Sequence, residues 1–169
     1  MELNDKNQPL RWHLHPLRVR YQETDRMGVV FHGNYVNWFE IGRTEFIRHY
    51  GMPYEQIERQ GLMLPVVDLD CRYGAPAKYD DRVLICTAID SYTPVRLSFR
   101  SQVRRIGEHE QYPAEWAEKV LPGEPLVEGG TRHVWVNDQF KPVRLDKSLP
   151  ELYGLLKAAY AGNLTEGKG

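Results

Sequence analysis

The sequence predicts an α+β domain in which one antiparallel sheet wraps a long central helix. Three observations carry this. An early stretch alternates apolar and charged residues. A long, apolar-rich segment from Asn34 to about His49 reads as a helix. Four further strand-like runs then follow with no intervening long helix. Strands that run consecutively, with helices segregated from them, argue α+β rather than alternating βα units.

The elements follow in chain order. Leu17, Val19 and Tyr21 alternate with Arg18 and Arg20, the period of a half-buried strand. A polar loop from Gln22 to Gly33 carries two glycines and an apolar patch, Val29-Val30-Phe31. Asn34 suits a helix N-cap. Tyr35, Val36, Trp38, Phe39, Ile41, Phe46 and Ile47 spread beyond one stripe, so the helix is expected to be buried on most of its surface. Gly42 in its middle costs about 1 kcal/mol against alanine, which close approach of a neighbouring backbone explains. Gly51 ends the helix, and Pro53 opens a short second one that stops near Gly61.

Val67, Leu69, Cys71 and Tyr73 then alternate with Asp68, Asp70 and Arg72. Arg82 to Tyr92 is apolar on both faces and should be a central strand. Thr93-Pro94 makes a turn into Val95 to Arg104, where three arginines (Arg96, Arg100, Arg104) share a face. A polar insertion, Gly107 to Pro125, holds a short helix near Glu115 to Val120 and leads to a last strand around Thr131 to Asn137. Gly129-Gly130 reads as a bulge or bend. Ser148 and Glu151 form a capping-box pattern before Leu152, Leu155, Leu156 and Ala159. The organisation expected is a flexible segment 1–14, one domain 15–161, and a tail 162–169. Five strands and one large helix leave a sheet edge open, which favours a homodimer or homotetramer.

Composition excludes several classes. A chain of 169 residues fits one domain with a sizeable core, and 41% hydrophobic with 27% charged residues is ordinary for a folded protein. A net charge of −1 gives no field that would gather nucleic acid. Cys71 and Cys86 are too few for a disulfide framework and lack the partners of a zinc site. His13 and His15 fall in the flexible start, so neither a metal nor a cofactor is expected. Met1 to Pro16 has no apolar leader, and no apolar run approaches the roughly 20 residues of a membrane span. A cytoplasmic protein is expected.

The chemistry concentrates in Tyr21-Gln22-Glu23-Thr24-Asp25-Arg26-Met27-Gly28-Val29-Val30-Phe31-His32-Gly33-Asn34-Tyr35. A carboxylate, Asp25, precedes a helix whose first N–H groups are unpaired and carry partial positive charge. Carbonyl chemistry wants both: a carboxylate to attack or to activate water, and donors for the developing oxyanion. Spacing alone leaves Asp25 open between this role and that of a turn residue. No Gly-x-Ser-x-Gly elbow surrounds Ser91 or Ser98.

The stretch resembles the signature of the 4-hydroxybenzoyl-CoA thioesterase and Tol-Pal-associated acyl-CoA thioesterase families. The matching residues are Asp25, Gly28, Val29-Val30 and Asn34-Tyr35. Phe39-Glu40, Arg43-Thr44-Glu45 and the Gly74 to Asp81 turn with Tyr79-Asp80-Asp81 are similar too. The resemblance runs over roughly residues 15 to 145. It implies the hotdog fold, a dimer with each site at the subunit interface, and hydrolysis of an acyl-CoA (or acyl carrier protein) thioester to free acid and thiol. Asp25 is implied as nucleophile or general base, and the His32 N–H as the group polarising the carbonyl. Gly33 and Asn34 are implied beside the substrate. Arg96 is the candidate for the phosphates of CoA, and Met63 and Pro65 are candidates for the acyl pocket. Two rival readings are a hotdog hydratase or dehydratase and a non-catalytic acyl-CoA or acyl-carrier binding module.

Overall fold

The computed structural model describes residues 2–117 and 120–161. The strands are β1 Trp12–Arg18, β2 Leu62–Met63, β3 Val66–Tyr73, β4 Arg82–Tyr92, β5 Arg96–Ile106, β6 Trp116–Ala117, β7 Glu124–Val134 and β8 Val136–Asn137. The helices are α1 Asn34–His49, α2 Tyr54–Arg59, α3 Leu145–Ser148 and α4 Pro150–Tyr160. One antiparallel sheet runs β3-β7-β5-β4-β1-β6, and β2 pairs with β8.

Helix α1 lies lengthwise along the inner face of this sheet. Its first half (Tyr35, Trp38, Phe39) packs with Val83, Ile85, Val103 and Val127. Its second half (Phe46, Ile47) packs with Ile89, Leu97, Phe99 and Trp135. The start of the helix therefore overlies the Arg82/Ile106 end of the sheet, and its finish the Tyr92/Arg96 end. Strand β4 is central, as its two apolar faces predict. Val83 and Ile85 face the helix, while Leu84, Cys86 and Ala88 pack under Leu10, Trp12 and Leu14 on the other side. Both cysteines are free thiols.

At Gly42, α1 passes close against β4. A Cβ there would collide with the Thr87 hydroxyl and the Ile85 methyl, so side chains of β4 make the approach rather than a neighbouring backbone. Gly42→Ala is expected to destabilise the fold by about 1–3 kcal/mol through overpacking, despite alanine's better helix propensity. Urea denaturation checks the sign.

Several expectations are corrected. The first strand begins at Trp12, and Leu10 and Trp12 are buried, so packing starts inside the segment expected to be flexible. His13 and His15 are strand residues. The expected helix at Glu115 to Val120 is instead β6, paired with Trp12 and His13, with residues 118 and 119 outside the described residues. Asn34 is the first residue of α1, not its cap; Gly33 holds that position. The Ser148–Glu151 capping box does not form: Ser148 ends α3, and α4 starts with Pro150 after Leu149. Gly129 and Gly130 sit in unbroken pairing with Cys71 and Asp70, not in a bulge. A Cβ at Gly129 would meet the Asp70 carbonyl and the Phe39 ring, so the glycine permits close passage of β7. The tail 162–169 lies outside the described residues.

Candidate active site

Residues 24–31 form a tight hairpin. Thr24 bridges to Val30, the Asp25 N–H donates to the Val29 carbonyl (2.8 Å), and Gly28 N–H donates to the Asp25 carbonyl (3.0 Å). Gly28 has φ +78°, a left-handed conformation that glycine adopts without steric cost. Asp25 does what a turn aspartate does: its Oδ1 accepts the Met27 N–H at 2.8 Å. Its Oδ2 has no partner among the described residues, so half of this partly buried carboxylate is free for chemistry.

Two hydrogen bonds fasten the hairpin to its surroundings, Val30 N–H to the Ala77 carbonyl (2.8 Å) and Phe31 N–H to the Glu23 carbonyl (2.9 Å). Asn34 adds a third, its Nδ2 donating to the same Glu23 carbonyl at 2.8 Å. Tyr35 is core, as read; its hydroxyl accepts the Ala77 N–H at 3.0 Å. Past Phe31 the chain enters α1. The Asn34 N–H donates to the Phe31 carbonyl and Val36 N–H to the Gly33 carbonyl. The N–H groups of His32 and Gly33 donate to nothing among the described residues. They sit at the positive end of a 16-residue helix. The His32 ring is exposed, while the Tyr73 hydroxyl donates to the His32 carbonyl at 3.1 Å and fixes that peptide.

Glu23 is the residue that sequence reasoning missed. It is only 5% exposed. Its carboxylate accepts from the Arg20 N–H (2.8 Å), the Arg20 guanidinium (3.1 Å) and the Trp38 indole N–H (3.0 Å). Burial pushes this carboxyl up, but the Arg20 N–H, the Trp38 indole and the Arg20 charge outweigh it and hold it below the usual range. A tryptophan on the buried face of the helix needs an acceptor, and that was the available signal. Glu23→Ala strands the buried Trp38 indole N–H and the partly buried Arg20 N–H, and is expected to cost about 2–4 kcal/mol by urea denaturation at neutral pH. Because the folded-state pKa is depressed, this stability is present above the unfolded value of about 4.3. It disappears as pH falls through the lower folded value, so the gap between wild type and Glu23→Gln should close in acid.

Arg96 is not brought to Asp25 within one chain. It opens β5 at the far end of the sheet, where its neighbour Leu97 packs with Phe46 and Ile47. Its guanidinium is exposed and makes no ion pair among the described residues. Arg100 is held by Asp90 (2.7 Å), and Arg104 by the Pro122 and Gly123 carbonyls (both 2.7 Å). Met63 and Pro65 line a cavity of about 460 Å³ with Glu40, Arg43, Thr44 and Tyr54, which joins the central helix to the strand after Gly61.

A second cluster, not visible in the sequence because only the fold joins its members, lies at the other end of α1. His13, His49 and Glu115 converge closely enough to face one cation. The hydrogen bonds argue against that use. The Trp116 indole N–H donates to His49 Nε2 at 3.2 Å, which puts the His49 proton on Nδ1, aimed at Glu115 Oε1 at 2.8 Å. His13 Nε2 reaches the same oxygen at 3.1 Å, and its Nδ1 is buried without a partner. Metal binding would turn that Nδ1 into a stranded donor and set two N–H groups against each other at Trp116. The cluster instead fastens β6 to β1 and the end of α1.

A central helix wrapped by one antiparallel sheet defines the hotdog fold. The chain belongs to the thioesterase superfamily, which it matches over residues 27–111, just over half its length. It is 33% identical to the putative acyl-CoA thioesterase YneP of Bacillus subtilis over 136 residues, covering 80% of this chain and 88% of that one. It is 36% identical to the acyl-CoA thioester hydrolase YbgC of Escherichia coli O6:H1 over 93 residues, 55% and 67% of the two chains. Among solved structures, the DHNA-CoA thioesterase of Staphylococcus aureus superposes with a TM-score of 0.77 at 31% identity, covering 94% of this chain and 96% of that one.

Proposed function

We propose that this protein hydrolyses an acyl-CoA thioester to free acid and CoA at the head of α1. One observation carries the reading: the unpartnered His32 and Gly33 N–H groups in the same loop as the half-free Asp25 carboxylate. The thioester oxygen takes the two N–H donors, which strengthen as it becomes an oxyanion. Asp25 either removes a proton from the attacking water or attacks the carbonyl carbon itself. In the first route water adds, the C–S bond breaks, and the thiolate takes up the proton. In the second a mixed anhydride forms as thiolate leaves, and water then cleaves it. A thiolate, pKa near 8.5, is a fair leaving group without a dedicated acid. Neither route needs a cofactor.

The reading includes a homodimer built on β3. That strand is at the sheet edge and exposes Val66, Val67, Leu69 and Tyr73. Twofold pairing of β3 with a second copy is antiparallel, so Tyr73 of one copy meets the Val66 end of the other. Tyr73 holds the His32 peptide, and Val66 follows Pro65 of the cavity. Arg96 lies at that same end: it pairs with Val134, next to His133, which pairs with Val66. Two strand spacings, about 10 Å, separate it from the edge. Asp25 and His32 of one copy then share a site with the cavity and Arg96 of the other. Along one chain Gly33 and Arg43 are about 15 Å apart on the helix.

A cytoplasmic location goes with this reading, supported by two unpaired cysteines. No helix among the described residues is long and apolar enough to cross a membrane. Thiol release from a panel of acyl-CoAs and acyl carrier protein esters tests the proposal. Binding without release from any of them, or hydration of an enoyl-CoA in its place, overturns it.

A further inference from the structure

We infer that Phe140 is a specificity residue: it stands at the rim of the cavity between α1, α2 and the β2–β3 connection and is covered by the acyl chain of the bound thioester. This rests on the function proposed above and names a residue that sets its acyl preference.

Phe140 occupies a position that disfavours its residue type in two ways. The chain reverses after β8, with the Phe140 N–H donating to the Asn137 carbonyl and the Asn137 N–H to the Lys141 carbonyl, both at 2.9 Å. The Asn137 side-chain oxygen accepts the Gln139 and Lys141 N–H groups, both at 3.0 Å. Reversals of this kind place their last loop residue in the left-handed region, where glycine is usual. Here that residue is a phenylalanine, at φ +57°. The other non-glycine residues with positive φ among the described residues are Asn7 and Asp80, whose short polar side chains tolerate it. A bulky ring has no such relief. Phe140 is also 68% exposed, so the ring gains little packing in return.

The turn itself does not need the ring. Its hydrogen bonds run between backbone groups and the Asn137 side chain, and any residue except proline at 140 keeps them. What distinguishes Phe140 is its place. It lines the cavity of about 460 Å³ together with Met63, Leu64 and Pro65. Pairing of β2 with β8, Met63 opposite Val136 and Leu62 opposite Asn137, holds the turn against that wall. Strain kept at the rim of a cavity is the mark of a position set by what it binds. The occupant is an acyl chain. The cavity has the volume of a small-ligand pocket, and its lining here is apolar. It is also continuous with the proposed dimer seam, because Pro65 leads directly into the edge strand β3. A two-carbon acyl group held at the facing Asp25 hairpin stops short of Phe140, and a longer chain reaches and covers it.

The test compares kcat/KM for acetyl-CoA and hexanoyl-CoA in wild type, Phe140→Gly and Phe140→Asn. Both replacements suit left-handed backbone, so neither should lower Tm. Wild type should prefer hexanoyl-CoA by at least about tenfold, since its extra methylene groups are buried. In both variants hexanoyl-CoA should lose about fivefold or more while acetyl-CoA changes by less than about twofold. A wild type without the preference, an unchanged ratio in the variants, or an equal loss on both esters overturns the inference. So does a fall in Tm in both variants, which would make the role of the ring structural. Dissociation of both variants to monomers in analytical ultracentrifugation overturns it as well, because a second copy would then be what covers the ring. If wild type releases thiol from neither ester, the hydrolase reading fails separately. Calorimetry with the thioethers S-ethyl-CoA and S-hexyl-CoA, which cannot be hydrolysed, then carries the test. Tighter binding of the hexyl compound, with the difference reduced in Phe140→Gly, supports the inference, and a difference that is absent or unchanged overturns it.

Discussion

Asp25→Asn should lower thiol release from acyl-CoA by about 10²–10⁴-fold, the usual worth of a positioned acid–base or nucleophilic group. Asparagine is the informative replacement. It keeps an oxygen for the Met27 N–H, the bond that shapes the hairpin at 2.8 Å. What it loses is the anion, needed by both proposed routes. Stability to urea should therefore change by less than about 0.5 kcal/mol while turnover collapses. A variant retaining wild-type kcat would remove Asp25 from the mechanism. Single turnover of wild type in ¹⁸O-water then separates the routes. Label incorporated into the Asp25 carboxyl indicates attack by Asp25; with label confined to the released acid, trapping of an acylated Asp25 by hydroxylamine indicates an anhydride cleaved at its acyl carbon, and its absence indicates activated water.

The second large effect concerns the edge strand. Leu69 is 42% exposed on β3, and it alternates in phase with Cys71, which packs against the helix-side core. Leu69→Lys should convert the assembly to monomers in analytical ultracentrifugation, since twofold pairing brings two like charges together in an apolar seam. Activity per chain should fall more than about tenfold, because each hairpin loses the facing cavity. Folded monomers with full activity would show the site to be complete within one chain.

Much of the fold was legible because its strongest elements have clear periods. The bounds of β4 follow from its sequence, and those of α1 to within one residue, since Asn34 opens the helix instead of capping it. The start of β1 does not, since Trp12-His13-Leu14 is buried on successive residues and shows no alternation. β6 is two residues long and exists only because Trp12 and His13 offer it a partner. The same limit applies at the site. The Asp25 hairpin is local and could be read from its glycine, carboxylate and helix start. Glu23 looked like another polar loop residue, because its burial depends on Trp38, fifteen positions later. Arg43 looked like part of a helix motif, and only the fold brings Tyr54 and His133 to it.

Glu23 has both of its ends occupied. Its carboxylate receives Arg20 and Trp38, and its backbone carbonyl receives Phe31 and Asn34. The hairpin is thus riveted at its feet and not at its tip. Arg26 and Met27 are exposed, and what holds Asp25 there is the Met27 N–H, which every residue except proline supplies. Position and identity are separated in this loop. Side chains at the tip can be exchanged, changing what an approaching ester touches, while the carboxylate stays where it is.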